Sequence, residues 1–369
     1  MSMKFLNRRP RPVLTQIVGF LATLPTFAAH GETTDRIRVM EAYPVPIAER
    51  LEMRGSALHE ALTTATIGGE QFTAQYVLDM ECRWKPGSTL TVAFSGGTPE
   101  LWAKIERAAT EWSNYCNIKF DFRAGGKFRE WSPSDERYQA KIRIAFMTGD
   151  NGGYWSALGN DSVNPKYYPP NKASMNFEGF PTELPRDYAA TVQHEFGHAL
   201  SFWHEHQHPK ERCDEQLRWN DDPGYVPTRN EYEEFIPDSQ NRNPGVYTVF
   251  GGPPNNWKKD KVDFAMKHIS DADTHAYKIG PFDQESIMKY YYPASLFIEG
   301  DRSPCYHDEN IKISAGDRQG AAAVYPKTTG AIRRILEEKK RLLDMLLRTK
   351  SLSPEFEQEY RSQRDSLPK

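Results

Sequence analysis

Apolar and polar positions follow regular patterns through the first half of the chain. These patterns predict strands at Thr89–Phe94, 118–122 and 141–146. Between the first two strands, apolar residues recur at helical spacing over 100–115. Because a strand, a helix and a second strand connect as a right-handed crossover, these segments predict parallel pairing. A shorter extended piece follows at 173–177.

The second half of the chain has weaker periodicity. A helix is predicted over 188–200, and a polar, proline-rich stretch at 209–280 predicts long loops with a few short helices. Ser314 has the character of a helix N-cap, with the carboxylate of Asp317 in the first turn. A helix is therefore predicted from there to Tyr325.

These patterns divide the chain into a main domain and two appendages. The main domain is predicted at 82–326, with 209–280 as a long insertion. A charged C-terminal helix occupies 327–369, with leucines and isoleucines along one side of 331–350. This helix predicts partner binding or self-association, or else packing on the main domain. The polar residues 30–81 form an N-terminal extension.

The N-terminus has the pattern of a secretory signal at 1–29. A basic stretch through Arg11 precedes an apolar run that ends in small residues. A membrane anchor or a buried helix is the alternative, but the run is short and Pro25 interrupts it. We therefore predict a secreted protein that is not attached to a membrane once the signal is removed.

The composition is that of a soluble globular protein. The chain has 369 residues, of which 38% are hydrophobic, and a formal net charge of −3. Both ends of the chain are basic, so the middle carries the negative charge. Binding to phosphate groups needs a basic surface, which argues against nucleic acid as a partner.

Four cysteines fit two disulfides in an oxidising compartment. Cys82 and Cys116 each precede a strand of the predicted crossover, at the same end of the sheet. We therefore favour a Cys82–Cys116 pair, which leaves Cys213 with Cys305. Buried thiols are the alternative. No two cysteines form a C-x-x-C pair, which argues against a thiolate zinc site.

The chemistry is concentrated at 194–205, which reads His-Glu-Phe-Gly-His-Ala-Leu-Ser-Phe-Trp-His-Glu. His194 and His198 lie four residues apart, so on a helix they share one face and can bind one tetrahedral zinc ion. Glu195 lies beside such an ion, where a carboxylate can take a proton from water. His204 can join them only if the helix ends soon after residue 200.

This segment resembles the metzincin signature H-E-x-x-H-x-x-G-x-x-H. Within the metzincins it is most similar to the astacin family, in which Glu follows the third histidine, as Glu205 does here. The segment at 286–290 resembles the astacin Met-turn. The resemblance implies that Met288 forms a hydrophobic floor below one catalytic Zn²⁺ ion. It also implies that Tyr290 is a fifth ligand that swings away to stabilise the transition state.

The resemblance covers about 84–326 and implies an α+β metzincin fold. Its twisted, mixed, five-stranded sheet and active-site helix occupy the N-terminal half, and its C-terminal half is irregular with a Met-turn. The segment at 173–177 resembles the edge strand that pairs with extended peptide substrates. An ordinary sheet edge is the alternative for this strand. The predicted substrate-contacting residues are Ser174, Met175, Asn176 and Phe177.

The sequence departs from the family pattern at several positions. Ser201 stands where the family has glycine, which costs about 1 kcal/mol if the backbone is left-handed there. Lys289 replaces the usual histidine of the Met-turn, on the side away from zinc. His206 and His208 are exposed or supporting residues, or replace His204 as ligand if Ser201 alters the turn. The insertion is also longer than in compact members.

Together these features predict a secreted zinc endopeptidase that acts on proteins or peptides, with Glu195 as general base. Family members are made as zymogens, so 30–81 is either a cleaved propeptide or a structural extension. By the same resemblance, Glu205 binds the new N-terminus of the mature enzyme. The alternatives are a catalytically inactive binding or adhesion protein with this fold, and a zinc hydrolase that cleaves a non-peptide bond.

Overall fold

A computed structural model of the chain describes residues 66–67, 70–71, 82–208, 211–231, 233–253, 255–267, 281–348 and 352–367. The predicted signal at 1–29 and most of the extension at 30–81 lie outside these residues. The strands are β1 (Thr66–Ile67), β2 (Glu70–Gln71), β3 (Thr89–Phe94), β4 (Lys119–Asp121), β5 (Arg123–Ala124), β6 (Lys127–Glu130), β7 (Ile142–Ala145), β8 (Tyr154–Ser156), β9 (Met175–Phe177), β10 (Thr228–Arg229) and β11 (Phe235–Ile236).

The α-helices are α1 (Pro99–Thr110), α2 (Trp112–Tyr115), α3 (Tyr188–Ala199), α4 (Val246–Gly251), α5 (Lys259–Met266), α6 (Ala315–Val324), α7 (Thr329–Leu346) and α8 (Pro354–Asp365). Short 3-10 helices lie at Gly149–Asn151, Gly159–Val163, Glu205–Gln207, Cys213–Gln216, Ala294–Leu296 and Gly300–Arg302. Among these described residues, no helix is both long enough and apolar enough to cross a bilayer.

The main sheet is mixed, which confirms the predicted α+β class. Its order is β5-β6-β3-β7-β9-β8, with β4 also paired to β3. β3 is parallel to β4, β6 and β7, whereas β8 is antiparallel to β9. The sheet has seven strands where five were predicted. The difference includes the hairpin β5–β6, whose turn is made by Gly125 and Gly126 with positive φ angles.

The predicted crossover is present as β3, α1 and β4. Helix α1 begins at an N-cap, Thr98, whose side chain accepts a hydrogen bond from the Leu101 amide, and Pro99 occupies the first turn. The apolar face of α1, including Ile105, is buried against the sheet and α3 in the main core. The crossover therefore positions α3 on one face of the sheet.

The predicted substrate strand is not at the edge of the sheet. β9 pairs with β7 on one side and with β8 on the other, so both of its edges are used. Its predicted contact residues are all buried, namely Ser174, Met175, Asn176 and Phe177. The assignment of 173–177 as an edge was therefore wrong, because β8 forms the outer strand and pairs with β9 along its whole length.

The cysteine prediction was right for one pair and wrong for the other. A disulfide joins Cys213, in the insertion, to Cys305. Cys82 and Cys116 are buried and form no disulfide. The Cys82 carbonyl lies below the end of α3, where it accepts a hydrogen bond from Ser201, whereas the Cys116 thiol donates to the carbonyl of Trp112. The two cysteines therefore do not meet, although both precede strands at the same end of the sheet. Burial raises the pKa of the Cys116 thiol to about 11.

The C-terminal segment is two helices rather than one. α7 and α8 pack together through a small apolar cluster that includes Leu343, Leu346 and Tyr360. The break follows from Ser353, which caps α8, and from the proline next to it. The pair contacts the main domain through Lys339, whose Nζ donates to the carbonyl of Arg83. This contact favours packing over self-association.

Candidate metal centre

Helix α3 carries three of the predicted site residues. It packs on α1 and β8, and the indole of Trp112 donates a hydrogen bond to the carbonyl of Gln193 at 2.8 Å. His194, Glu195 and His198 therefore project from a helix that is held on several sides. Glu195 and His198 are each 2% exposed, so their side chains are shielded from bulk water.

The three predicted histidines converge on one point. Nε2 of His198 lies 3.1 Å from Nε2 of His194 and 3.0 Å from Nε2 of His204. Nitrogen ligands of a tetrahedral zinc ion lie about 3.3 Å apart, because Zn–N bonds are about 2.0–2.1 Å long. The donor atoms of all three residues lie within 4.8 Å of one another. Their spacing therefore fits a single zinc ion.

Backbone carbonyls determine which nitrogen of each ring faces this point. Nδ1 of His194 donates to the carbonyl of Ile287, and Nδ1 of His198 donates to the carbonyl of Phe202, each at 2.7 Å. Because a carbonyl only accepts hydrogen bonds, both Nδ1 atoms carry the proton. Each Nε2 then has a lone pair for a metal, as is typical of zinc-bound histidines.

The helix ends as His204 requires. The Ser201 amide donates to the carbonyl of His198, and the Phe202 amide donates to the carbonyl of Gly197, which together form a Schellman motif. Ser201 has a φ of 70°, in the left-handed region. The left-handed turn that the family makes with glycine is therefore kept. Serine at this position carries the backbone strain of about 1 kcal/mol that the sequence predicted.

The Ser201 hydroxyl makes a bond that glycine could not make. It donates to the carbonyl of Cys82 at 2.9 Å, and Ser201 is buried. The indole of Trp84 donates to the carbonyl of Ala199, also at 2.9 Å. The start of the main domain is thus bonded to the last turn of the zinc-binding helix.

These contacts predict an order of stability for two variants at residue 201. Ser201→Ala keeps the left-handed strain and leaves the Cys82 carbonyl without this donor, which should cost about 1–3 kcal/mol. Ser201→Gly loses the same bond but relieves the strain, so it should cost less. Chemical denaturation of the three proteins tests this order. If Ser201→Gly were less stable than Ser201→Ala, the left-handed backbone at residue 201 would not be a source of strain.

The segment containing Met288 packs directly under α3. Met288 is 3% exposed, and its sulfur would lie 2.3 Å from a Cβ atom at Gly197. Only glycine therefore allows this approach. The amide of Glu205 donates to the carbonyl of Met288, which joins the third histidine's loop to the Met288 segment.

Tyr290 lies against the third histidine. Its ring centroid is 4.1 Å from that of His204 and 5.7 Å from that of His194. Its ring also stacks on His206, with centroids 4.5 Å apart and planes 23° apart. The predicted fifth ligand is therefore brought to the histidine cluster.

His206 and His208 are both buried, so neither is an exposed residue. Nε2 of His206 donates to the carbonyl of Ala265 in α5 at 2.9 Å. Burial lowers the pKa of His206 well below its usual value, so the ring is neutral. The structure groups His204, and neither of the other two, with the two histidines of α3.

Buried polar groups hold Glu205 and the segment around Met288 in place through hydrogen bonds. Oε1 of Glu205 accepts a hydrogen bond from the amide of Asp283, and burial raises the pKa of Glu205 to about 7. Lys289 is 5% exposed and donates to the carbonyl of Cys305, and burial lowers the pKa of Lys289 to about 7. Asp317, in the first turn of α6, accepts one hydrogen bond from the hydroxyl of Ser286 and another from the amide of Ile287.

Comparisons with solved structures show which proteins this chain is similar to. The chain is 31% identical to myroilysin in a match that covers 67% of this chain and 97% of that chain, with a TM-score of 0.49. A second structure of myroilysin matches at 31% identity over 67% and 86% of the two chains, with a TM-score of 0.42. The chain belongs to the astacin family of zinc metalloproteases.

More distantly, the chain is 18% identical to high choriolytic enzyme 1, a hatching-enzyme zinc protease from the medaka fish Oryzias latipes. That match covers 66% and 94% of the two chains, with a TM-score of 0.35. No protein-family model matches the chain, and no curated protein does.

As an astacin-family member, the protein is a zinc metalloendopeptidase. The family and the three histidines together imply a zinc ion and peptide substrates. Within the astacin pattern, Ser201 and Lys289 are departures that the fold accommodates through hydrogen bonds to carbonyls.

Sequence reasoning missed two features of this astacin site. Gly159 lies against Ser201 and Cys82, and no local motif marks it. His206 was interpreted as an exposed or supporting residue, or as an alternative ligand, whereas its ring is buried and stacks on Tyr290. The contact between Met288 and Gly197 could have been suspected from the glycine inside a predicted helix.

Proposed function

We propose that this protein is a secreted endopeptidase in which Glu195 is the general base and Tyr290 stabilises the transition state. The proposal depends on the convergence of three Nε2 atoms and on the buried carboxylate of Glu195, on the same helix as two of the histidines. His194, His198 and His204 would hold the zinc ion. When bound, zinc polarises a carbonyl and makes water more acidic.

Glu195 moves the proton in this scheme. Glu195 follows His194 directly on α3, and it is not one of the three residues whose ligand atoms converge. It accepts a proton from the attacking water and then gives that proton to the amine of the departing peptide. Because the side chain is almost completely buried, few water molecules compete for this proton.

Tyr290 acts on the charge that forms at the carbonyl oxygen. Its ring contacts the rings of both His204 and His206, and these contacts restrict the orientation of the hydroxyl. A hydroxyl that donates to a developing oxyanion lowers the barrier more than it stabilises the substrate.

The outer strand β8 is the best candidate for binding the peptide backbone. It is the last strand of the sheet order and packs against α3. An extended peptide can add to such an edge through backbone hydrogen bonds, with side chains entering pockets on alternate sides.

Secretion rests on the signal pattern at 1–29 and on the Cys213–Cys305 disulfide, which is typical of oxidising compartments. Residues 30–81 are a candidate propeptide. N-terminal sequencing of the active, secreted form tests both assignments. An active enzyme that still carries 30–81 would contradict latency.

Metal removal tests the proposed activity. We expect one zinc per chain, casein or gelatin cleavage that a chelator abolishes, and recovery of cleavage when zinc is added back. His204→Ala should lose zinc, whereas His208→Ala should keep it, because only His204 joins the cluster. Cleavage that survives chelation would contradict the metal mechanism. A peptide library left uncut by the zinc-loaded protein would favour a non-peptide substrate.

A further inference from the structure

His206 lies in a cluster of aromatic rings that includes His204, Tyr290 and Tyr292. It is 2% exposed. Its ring is stacked on Tyr290, and the ring of Tyr292 meets it edge-on at 5.6 Å with an interplanar angle of 85°. The third histidine, His204, is 5.1 Å away by ring centroids. His206 therefore packs on both Tyr290 and His204, and it is not a member of the ligand cluster.

The same cluster is bonded to the end of one helix in the insertion. Nε2 of His206 donates to the carbonyl of Ala265, and Nε2 of Gln207 donates to the carbonyl of Lys267 at 3.2 Å. The hydroxyl of Tyr292 donates to the sulfur of Met266 at 3.3 Å. Three consecutive residues at the end of α5 thus accept hydrogen bonds from side chains near the histidine cluster, namely Ala265, Met266 and Lys267.

Only a flat ring with a donor on one edge meets the demands of this position. The ring face of His206 must lie on Tyr290, and its edge must satisfy a carbonyl at the end of α5. Offset stacking of this kind favours one relative orientation of two rings. A helix end also leaves its last carbonyls without partners inside the helix, so Ala265 needs an outside donor.

We propose that His206 is a positioning residue, which holds the ring of Tyr290 against the site and ties it to the end of α5. The insertion then has a defined task, because its helix α5 is the anchor for the residue that stabilises the transition state. The inference rests on the proposed role of Tyr290, and it assigns no contact between His206 and the substrate.

A double-mutant cycle tests whether His206 acts through Tyr290. A displacement of about 1 Å in a catalytic group can cost about 10²-fold in rate, so His206→Ala should lower kcat by about 10- to 10²-fold with little change in KM. In the Tyr290→Phe background, where no hydroxyl remains to be positioned, the same change should have almost no further effect. His206→Phe keeps the ring and should fall between His206→Ala and the parent protein.

Fluorine NMR gives a readout that does not depend on activity. The chain has 18 tyrosines, and in protein labelled with 3-fluorotyrosine the resonance missing from Tyr290→Phe identifies residue 290. We expect this resonance to be sharp and single in the parent protein and broadened or split in His206→Ala. If Tyr290→Phe proves fully active, the proposed role of Tyr290 fails, but the NMR result still decides whether His206 holds the ring.

Leu217→Ala is the matched control for a general loosening of the insertion. Leu217 is 3% exposed, lies outside α5 and belongs to the apolar core of the C-terminal half. This variant should lower Tm without lowering kcat or changing the Tyr290 resonance. Three results would overturn the inference: an equal loss of kcat in Leu217→Ala, a full additional loss when His206→Ala is added to Tyr290→Phe, or an unchanged Tyr290 resonance in His206→Ala.

Discussion

Replacing Glu195 by glutamine should lower kcat by about 10²- to 10⁴-fold, the range typical of a lost general base. Glutamine has nearly the shape of glutamate but cannot accept the proton of the attacking water. The residue is 2% exposed, so no bulk water can easily take over its task. The measurement is steady-state cleavage of a fluorogenic peptide by fully zinc-loaded protein.

The folded structure and the metal should survive this change. Glu195 is not one of the three converging ligands, so Glu195→Gln should retain one zinc per chain and a nearly unchanged Tm. Glu211→Gln is the control for loss of a carboxylate close to the zinc loop, since Glu211 is exposed and should leave turnover unchanged. A zinc-loaded Glu195→Gln enzyme with near-normal turnover would contradict the proposed role of Glu195 as general base.

The centre of the site could be predicted because it depends on local spacing. His194 and His198 need only one helical turn to face the same point, and that requirement is readable from four residues. The third ligand needed the chain to reverse at Ser201, which spacing suggested and the left-handed φ of 70° confirms. Residue spacing along the chain was therefore enough to predict the three ligands up to the turn that ends the helix.

The order of the strands could not be predicted in the same way. β8 and β9 are three residues each, too short to show an alternating pattern, and both are largely buried. Whether β9 is an inner or an outer strand depends on where the intervening loop returns. This is a property of the whole sheet, which explains why 173–177 was mistaken for its edge.

Cysteine pairing and the C-terminal helices failed for different reasons. Pairing depends on the path of the chain before β3, and Cys82 lies under Ser201 instead of beside Cys116. By contrast, the break between α7 and α8 was marked in the sequence, since Ser353 followed by proline is a common helix start. Only the second error could have been avoided without a structure.

Gly159→Ala should be the most destabilising of these substitutions outside the ligands. Gly159 has a φ of 50°, and an added Cβ would lie 2.0 Å from the carbonyl oxygen of Cys82 and 2.2 Å from Oγ of Ser201. The first of these atoms is backbone, so it cannot swing aside. Left-handed strain, overpacking and loss of the Ser201–Cys82 hydrogen bond together should cost on the order of 4 kcal/mol.

A loss of this size is a large share of the stability of an ordinary domain, about 5–15 kcal/mol. Gly125→Ala is the matched control, because Gly125 has a similar φ of 58° but nothing lies within 4 Å of its Cβ position. It should therefore cost only the backbone strain, about 1–2 kcal/mol. Urea denaturation of both variants separates strain from crowding.

The zinc content of the two variants tests whether Gly159 supports the zinc-binding loop. Ser201 is the turn residue between the two histidines of α3 and His204, so displacing its hydroxyl should move the third ligand. Gly159→Ala should therefore bind zinc more weakly at temperatures where it remains folded, whereas Gly125→Ala should bind it normally. Equal stability and equal zinc affinity in both would show that the contact among Gly159, Cys82 and Ser201 does not hold the zinc loop in place.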